Sequence, residues 1–161
     1  IVHQKLAELE AKGKLKAVIT QNIDLLHTKA GNKKVFELHG SPSVHRCLKC
    51  GATKPFEWIV PIVEKGEVPK CTQCGGTLKP EITFFGEQLP QECFKKAIEE
   101  ARAADLMLVL GSSLTVQPAA SVPLYTLQHG GEIVIVNQQP TPLDQQASLR
   151  FEELEEVFQA L

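Results

Sequence analysis

Four cysteines in two closely spaced pairs constrain this sequence more than any other feature. They occur as Cys47-x2-Cys50 and Cys71-x2-Cys74, with twenty residues between the pairs. This spacing is typical of a four-thiolate zinc site, in which each short loop supplies two ligands. Because the protein would then fill all four coordination positions, we predict one structural zinc ion per chain and no metal-bound water for catalysis.

Two other arrangements of these cysteines stay open, namely two disulfides or two redox pairs. A secreted disulfide scaffold is usually shorter and richer in cysteine, and a thioredoxin-like site has one Cys-x2-Cys at the start of a helix, so zinc is favoured. The fifth cysteine, Cys93, follows Pro90 in a helical pattern. This pattern is more typical of a half-buried helix residue than of a nucleophile.

Charge and hydropathy exclude two classes of partner. The chain has 161 residues, enough for a core, and its 17 Lys and Arg against 19 Asp and Glu give a net charge of -2. Such a balance does not favour direct binding of nucleic acid. There is no apolar run of about 18 residues, so we predict no membrane span. No secretion signal follows Ile1, and we therefore expect a cytoplasmic protein. Since the only methionine is Met107, we also expect the chain to be a piece of a longer one.

Outside the cysteine region, amphipathic helices alternate with short apolar strands. Predicted helices cover residues 1–12, 25–30, 91–104, 118–128 and 152–161, and predicted strands cover 15–20, 35–38, 105–110 and 132–136. This alternation predicts an α/β fold, a Rossmann-like parallel sheet with helices on both faces. The pattern is interrupted from about residue 41 to 79. We therefore divide the chain into an incomplete Rossmann-like domain, 1–45 and 79–161, and an inserted zinc-ribbon module, 46–78, which we call the zinc module.

Polar residues follow four of the predicted strands: Thr20–Asp24, His39–Ser41, Gly111–Ser113 and Asn137–Gln139. Each cluster by itself is also typical of a helix cap or a turn. Ligands of parallel sheets bind at the carboxyl ends of the strands, however, and together these clusters predict a polar crevice at one sheet edge. Amide and carboxylate groups in the first cluster suit a ligand with a carboxamide, and His39 has the pKa range of a general base.

These residues also carry a resemblance to a known family. The motifs Thr20–His27, Glu37–Gly40, Phe84–Glu87, Gly111–Leu114 and Ile135–Asn137, with the paired cysteines among them, follow one another along the chain. In order and spacing they resemble the sirtuins, the Sir2-type NAD-dependent protein deacylases. The resemblance covers almost the whole chain and corresponds to the C-terminal two-thirds of the sirtuin catalytic core.

The resemblance implies a mechanism with NAD as cofactor. Asn22 and Asp24 would hold the nicotinamide carboxamide, and Gln21 would contribute on the ribose side. The acyl oxygen of a modified lysine would attack C1′ of the nicotinamide ribose, and His39 would act as general base on a ribose hydroxyl. Products would be free lysine, nicotinamide and O-acyl-ADP-ribose. The full set of implied cofactor contacts is Gln21, Asn22, Ile23, Asp24, Gly111, Ser112, Ser113, Asn137, Gln138 and Gln139.

The same resemblance implies acyl-lysine proteins or peptides as partners. They would add as a strand along Thr83, Phe84, Phe85, Gly86 and Glu87. Thr83 departs from the family pattern, because many relatives have Val there. Threonine is close to valine in shape, so we expect substrate binding to survive with a more polar tunnel wall.

Two family motifs are missing. Sirtuins begin with a glycine-rich Gly-Ala-Gly-x-Ser loop and a Gly-Ile-Pro-Asp-Phe-Arg segment, whereas this sequence contains no Gly-x-Gly at all. We therefore expect the N-terminal part of the Rossmann domain to be absent and these residues alone to be weakly active or inactive. Two alternative functions remain: a protein mono-ADP-ribosyltransferase, and a non-catalytic zinc-containing interaction module.

Overall fold

Helices and strands alternate along the chain, with extra strands in the cysteine region. The structure, a computed structural model, describes residues 1–160. The helices are α1 (Val2–Ala11), α2 (Leu26–Ala30), α3 (Phe56–Val63), α4 (Gln91–Ala103), α5 (Val122–Gln128) and α6 (Leu154–Ala160). The strands are β1 (Val18–Thr20), β2 (Val35–Glu37), β3 (Gly40–Cys47), β4 (Thr53–Pro55), β5 (Leu78–Ile82), β6 (Leu106–Leu110), β7 (Glu132–Val136) and β8 (Leu149–Phe151).

The strands between the helices are parallel. β1 pairs with β2, and β7 pairs with β6 on one side and β8 on the other. Within residues 1–160, no backbone pairing joins the two-stranded sheet to the three-stranded one. The predicted α/β fold with parallel strands is confirmed, and its strands are distributed over two sheets.

The first strand begins later than predicted. Its predicted start at Leu15 is wrong, because the Leu15 amide N–H donates to the Leu9 carbonyl at 3.1 Å and so completes the C-terminus of α1. Pairing begins at Val18, whose N–H donates to the Lys34 carbonyl at 2.9 Å. The backbone thus satisfies the last helix carbonyls before it enters the sheet.

A shared core holds the parallel sheets together. Ala97 and Ala101, four residues apart on α4, are completely buried and face α5. The buried Thr126 hydroxyl on α5 donates to the Ala101 carbonyl at 2.7 Å. Met107 on β6 packs against both apolar clusters of the parallel sheets. Helix packing therefore places β1–β2 and β6–β8 in a fixed relation without strand pairing between them.

A third sheet, antiparallel, contains the cysteine region. Its order is β4-β3-β5, and the segment between β4 and β5 contains α3. The apolar residues of this region, including Ile59 and Leu78, form a cluster with Cys47 and Cys71. Both β3 and β5 continue across the predicted module boundaries at 45/46 and 78/79. The division into domains at those residues stays a prediction.

The C-terminal part ends in a strand and a helix. The sequence pattern predicted the helix over 152–161 but not the short strand β8 before it. In the structure α6 begins at Leu154, and residue 161 lies outside the described residues. Phe158 on α6 is completely buried. Among residues 1–160, no helix combines the length and the apolar character needed to cross a bilayer.

Candidate functional site

The four paired cysteines converge at one end of the antiparallel sheet. Their sulfur atoms all lie within 4.8 Å of one another. Cys47 Sγ is 3.5 Å from Cys74 Sγ, and Cys50 Sγ is 3.6 Å from Cys71 Sγ. Four thiolates around zinc, with Zn–S bonds of about 2.3 Å, lie about 3.8 Å apart. The donor set and its spacing therefore fit one tetrahedral zinc ion.

The backbone around the cysteines favours the thiolate form. The amide N–H groups of Cys50 and Lys49 point at Cys47 Sγ and lower the pKa of the Cys47 thiol to about 6. The amide N–H groups of Gln73 and Cys74 lower the pKa of the Cys71 thiol in the same way. Zinc binds thiolates, so the turns around Cys47 and Cys71 favour the protonation state that the metal requires.

Gly76 completes this arrangement by its lack of a side chain. A Cβ atom at residue 76 would lie 2.8 Å from Cys47 Sγ and 3.3 Å from Cys74 Sγ. Any larger residue would displace a sulfur atom. Gly76 is thus explained by the space that the thiolates need, whereas Gly75 before it has open space around it and a φ of +71°.

His39 lies at the carboxyl end of β2 beside the end of β1. Its Nδ1 atom is 2.7 Å from the Gln21 carbonyl oxygen. Because a carbonyl oxygen only accepts, Nδ1 carries the proton, and Nε2 is left with a free lone pair. The structure thereby selects the tautomer that a general base needs and holds the ring by a second residue.

The peptide unit between Gln21 and Asn22 is fixed at both of its polar atoms. Its carbonyl accepts from His39, and its N–H, on Asn22, donates to the Thr20 hydroxyl at 3.1 Å. Thr20 is itself buried and its carbonyl accepts from the Leu38 N–H at 2.9 Å. The first and second predicted polar clusters are therefore brought together.

Asn22 and Asp24 line a small cleft beside this peptide unit. The other walls include Thr20, His27 and Glu37. Asp24 Oδ1 accepts from the Leu26 N–H at 2.9 Å, which closes a turn at the first residue of α2. Burial raises the pKa of the Glu37 carboxyl, the hydrogen bond from Ser41 opposes this rise, and the nearby Asp24 charge adds to it. The amide and carboxylate groups of this cleft match in kind the donors and acceptors of a carboxamide. Ile23, between the two residues, is exposed.

The third and fourth clusters meet at the ends of β6 and β7. The Gly111 N–H donates to the Val136 carbonyl at 2.9 Å, so Gly111–Ser113 lies next to Asn137–Gln139. Asn137 Nδ2 donates to the Gln139 carbonyl at 2.8 Å, and Gln138 Nε2 donates to Glu153 Oε1 at 3.1 Å. These residues follow β6 and β7, which belong to a different sheet from β2, the strand that ends just before His39. Their participation in one common crevice stays a prediction.

Sequence reasoning missed Arg150 in this region. Its guanidinium donates to Asp144 Oδ2 at 3.1 Å, to Glu152 Oε1 at 3.2 Å and to the Asn137 carbonyl at 3.0 Å. Arg150 thus fixes the backbone of the fourth cluster from β8. Its backbone partner, the Asn137 carbonyl, is 13 residues away in the sequence, and the only available signal was a single arginine between apolar residues.

The predicted substrate segment, residues 83–87, begins directly beside His39. The Thr83 N–H donates to the His39 carbonyl at 2.8 Å, and Gly40 pairs with Ile82 just before it. The Phe85 side chain is fully exposed, and half of the Phe84 side chain is exposed. The structure therefore places the candidate base between the first polar cluster and a segment with accessible apolar side chains.

A match to a protein-family model decides the relationship of this chain. The model of the Sir2 family matches residues 1–118. The chain belongs to the Sir2 family. Its Sir2 relatives include an NAD-dependent protein deacetylase from Thermotoga maritima, 48% identical over 94% of this chain and 61% of that protein. Another is NAD-dependent protein deacylase 2 from Archaeoglobus fulgidus, 48% identical over 88% of this chain and 56% of that protein.

Solved Sir2 structures have the same fold. One contains Sir2 with a p53 peptide and NAD+, with a TM-score of 0.94 and 46% identity over 99% of this chain and 67% of that one. A structure of Sir2Tm with a propionylated peptide gives a TM-score of 0.94, 46% identity and a coverage of 99% and 68%. The chain thus spans about three-fifths of the curated Sir2 relatives it matches.

Proposed function

We propose that this chain serves NAD-dependent deacylation of protein lysines, with release of nicotinamide and O-acyl-ADP-ribose. The supporting observation is the placement of His39. Its Nδ1 is held by the Gln21 carbonyl, and its own carbonyl holds the Thr83 N–H at the start of the 83–87 segment. A general base with a free Nε2 therefore lies between the polar cleft lined by Asn22 and Asp24 and an exposed apolar segment. Relatives named as NAD-dependent deacetylases and deacylases support the same reaction.

The residues have separate roles in this proposal. When bound, NAD supplies the glycosidic bond whose cleavage releases nicotinamide. Asn22 and Asp24 bind the carboxamide, and Gln21 and Ile23 lie beside them. His39 accepts a proton at Nε2 from a ribose hydroxyl, while its Nδ1–H stays hydrogen-bonded to the Gln21 carbonyl. The adenosine side is assigned to the strand ends of β6 and β7, through Gly111, Ser112, Ser113, Asn137, Gln138 and Gln139.

The residues present suit the carboxamide of NAD in their chemistry, but they do not include a binding turn for its phosphates. Dinucleotide sites of this fold hold the pyrophosphate on a glycine-rich turn at a helix N-terminus. These 161 residues contain no Gly-x-Gly. We therefore propose that the chain by itself binds NAD weakly and turns over slowly.

Zinc and peptide have supporting roles. The zinc ion is structural, since all four ligands come from protein, and it stabilises the sheet that ends at the 83–87 segment. Acyl-lysine peptides bind along Thr83, Phe84, Phe85, Gly86 and Glu87 by strand addition. Direct nucleic-acid binding is not part of the proposal, and a cytoplasmic location stays a prediction.

The test is mass spectrometry of an acetyl-lysine peptide incubated with NAD and a high concentration of the chain. We expect loss of the acetyl group with an equal amount of nicotinamide. His39→Ala should slow this at least about 100-fold, because a general base is removed. His129→Ala, at an exposed histidine directly after α5, is the matched control. Addition of ADP-ribose to a protein without loss of acetyl would contradict the proposal and favour ADP-ribosyl transfer.

A further inference from the structure

Lys79, on the strand β5 that leads to the 83–87 segment, makes three contacts with that segment and its approach. Its Nζ donates to the Ile82 carbonyl at 2.9 Å and to Glu87 Oε2 at 3.0 Å. The same nitrogen lies 4.4 Å from the centre of the Phe84 ring. An ammonium group has three N–H donors, and here each has a carbonyl, a carboxylate or an aromatic face to meet.

Glu87 completes a closed set of contacts. Its Oε2 accepts from the Phe84 N–H at 2.9 Å, and its own N–H donates to the Phe84 carbonyl at 3.0 Å. The Phe84 amide, then Lys79, lowers the pKa of the Glu87 carboxyl. Lys79, Phe84 and Glu87 therefore hold one another, and removal of the lysine leaves the carboxylate without its counter-charge.

These contacts fix a segment that would otherwise be mobile. Residues 83–87 follow β5, an edge strand of the antiparallel sheet, and Phe85 projects fully into solvent. Exposed loops of this length usually sample many conformations. A segment that is already ordered before its ligand arrives loses less conformational entropy on binding, and its affinity is higher for that reason.

We propose that Lys79 is a positioning residue for the substrate: it holds residues 83–87 in the conformation that receives the acyl-lysine peptide. This inference rests on the proposed function. Lys79 acts through Phe84 and Glu87, and neither the cofactor residues nor His39 is among its contacts. Substitution of Lys79 is therefore expected to weaken peptide binding while the chemical step is retained.

Two variants and a matched control test the proposal. Lys79→Met keeps the apolar stem and removes the charge and the donors, whereas Lys79→Arg keeps both. Lys54→Met is the control, because Lys54 also lies over an aromatic ring of the antiparallel sheet region, 5.1 Å from the Trp58 ring centre, but away from residues 83–87. The Kd of a fluorescein-labelled acetyl-lysine peptide is measured with NAD present. Amide hydrogen exchange of residues 83–88 is measured without ligand.

Lys79→Met is expected to raise the peptide Kd about tenfold and to speed exchange at the Phe84 and Glu87 amides about tenfold or more. In turnover assays KM should rise by the same factor, with kcat changed by less than about threefold. Lys79→Arg should restore Kd to within about threefold of the wild type, and Lys54→Met should leave it within about twofold.

Other results would overturn the inference in identifiable ways. Faster exchange with an unchanged Kd would show a purely structural role. Equal weakening by Lys54→Met would show general destabilisation of the sheet, and a fall in kcat at constant KM would place Lys79 in the chemical step. A wild-type chain that binds no peptide contradicts the proposed function itself. If, in addition, Lys79→Met leaves the amide hydrogen exchange of residues 83–88 unchanged, Lys79 does not hold this segment in place.

Discussion

At the residue scale, Gly40 is under the strongest steric constraint beside the candidate base. Its φ is +75°, a left-handed conformation that glycine adopts without strain. A Cβ atom at this position would lie 2.1 Å from the Glu81 carbonyl oxygen. Gly40 therefore allows β3 and β5 to approach where His39 meets the 83–87 segment. The glycine after the candidate base is a packing requirement of the site.

Gly40→Ala is expected to destabilise the protein by about 2 to 4 kcal/mol, through backbone strain and displacement of β5. Gly66→Ala is the matched control, because Gly66 has the same φ of +75° and nothing within 4 Å of its Cβ position. It should cost only the strain, about 1 kcal/mol. Urea unfolding of both variants measures the difference, and equal losses would show that the close approach is not rigid.

The residues with a direct chemical role in the site were easier to predict from sequence than the residues that hold them in place. His39, Asn22 and the paired cysteines have side chains whose chemistry is informative alone, and their spacing adds to it. Lys79 and Arg150 are common surface residue types. Their importance comes from partners that lie together only after folding, such as Glu87 and the Asn137 carbonyl. No local pattern marks such residues.

At the scale of elements, α1 and α2 meet through two histidines. The His3 and His27 rings lie 4.5 Å apart, and among residues 1–160 no partner is found for the buried His27 Nδ1. Burial, and then the neighbouring His3, lowers the pKa of His27 below its ordinary value of 6.5, while Asp24 acts in the opposite direction. The packing of α1 against α2 therefore favours the neutral form of His27.

The stability of this helix pair should depend on pH. In the unfolded chain His27 binds a proton near pH 6.5, and in the folded chain only at lower pH. Between these values the unfolded state holds more protons, so the free energy of unfolding should fall as pH decreases from 7.5 to 5.5. His27→Gln should reduce this slope in urea unfolding, and His129→Gln, at the surface, should not. A part of the slope should remain, because burial also lowers the pKa of His45. A slope that is unchanged in His27→Gln would contradict the prediction.

Prediction of elements succeeded where burial is regular along the sequence. β6 and β7 are apolar runs between helices, and the pattern found them. The antiparallel strands were missed, because along β3 only His45 and Cys47 are buried and no alternation of polar and apolar residues is visible. The short strand β8 was missed for a related reason: its Leu149 and Phe151 are exposed, and pairing with β7 defines it.

At the scale of the whole molecule, the apolar residues form separate cores. The cluster of the antiparallel sheet contains Ile59 and Leu78 with two of the cysteines, and it shares no residue with the clusters of the parallel sheets. Trp58, the only tryptophan in the sequence, packs against the cysteine cluster. One fluorophore therefore reports on the zinc module alone.

Removal of zinc should disturb the core of the antiparallel sheet and leave the cores of the parallel sheets folded. With excess EDTA, Trp58 emission should change while most of the helical circular dichroism remains, because α3 is one short helix among the six in residues 1–160. Metal released to a chromogenic chelator should amount to one zinc per chain. Cys71→Ser should abolish zinc binding, and Cys93→Ser should retain it. Loss of both optical signals in parallel would show instead that the cores unfold as a unit.

The peptide unit shared by Gln21 and Asn22 couples two halves of the candidate site. A rotation of this plane would move the carbonyl away from His39 and the Asn22 N–H away from the Thr20 hydroxyl in the same motion, since the peptide unit is planar. An inhibitor that bound on the Asn22 side and rotated this peptide plane would thus break the hydrogen bond that holds His39, without touching His39 itself.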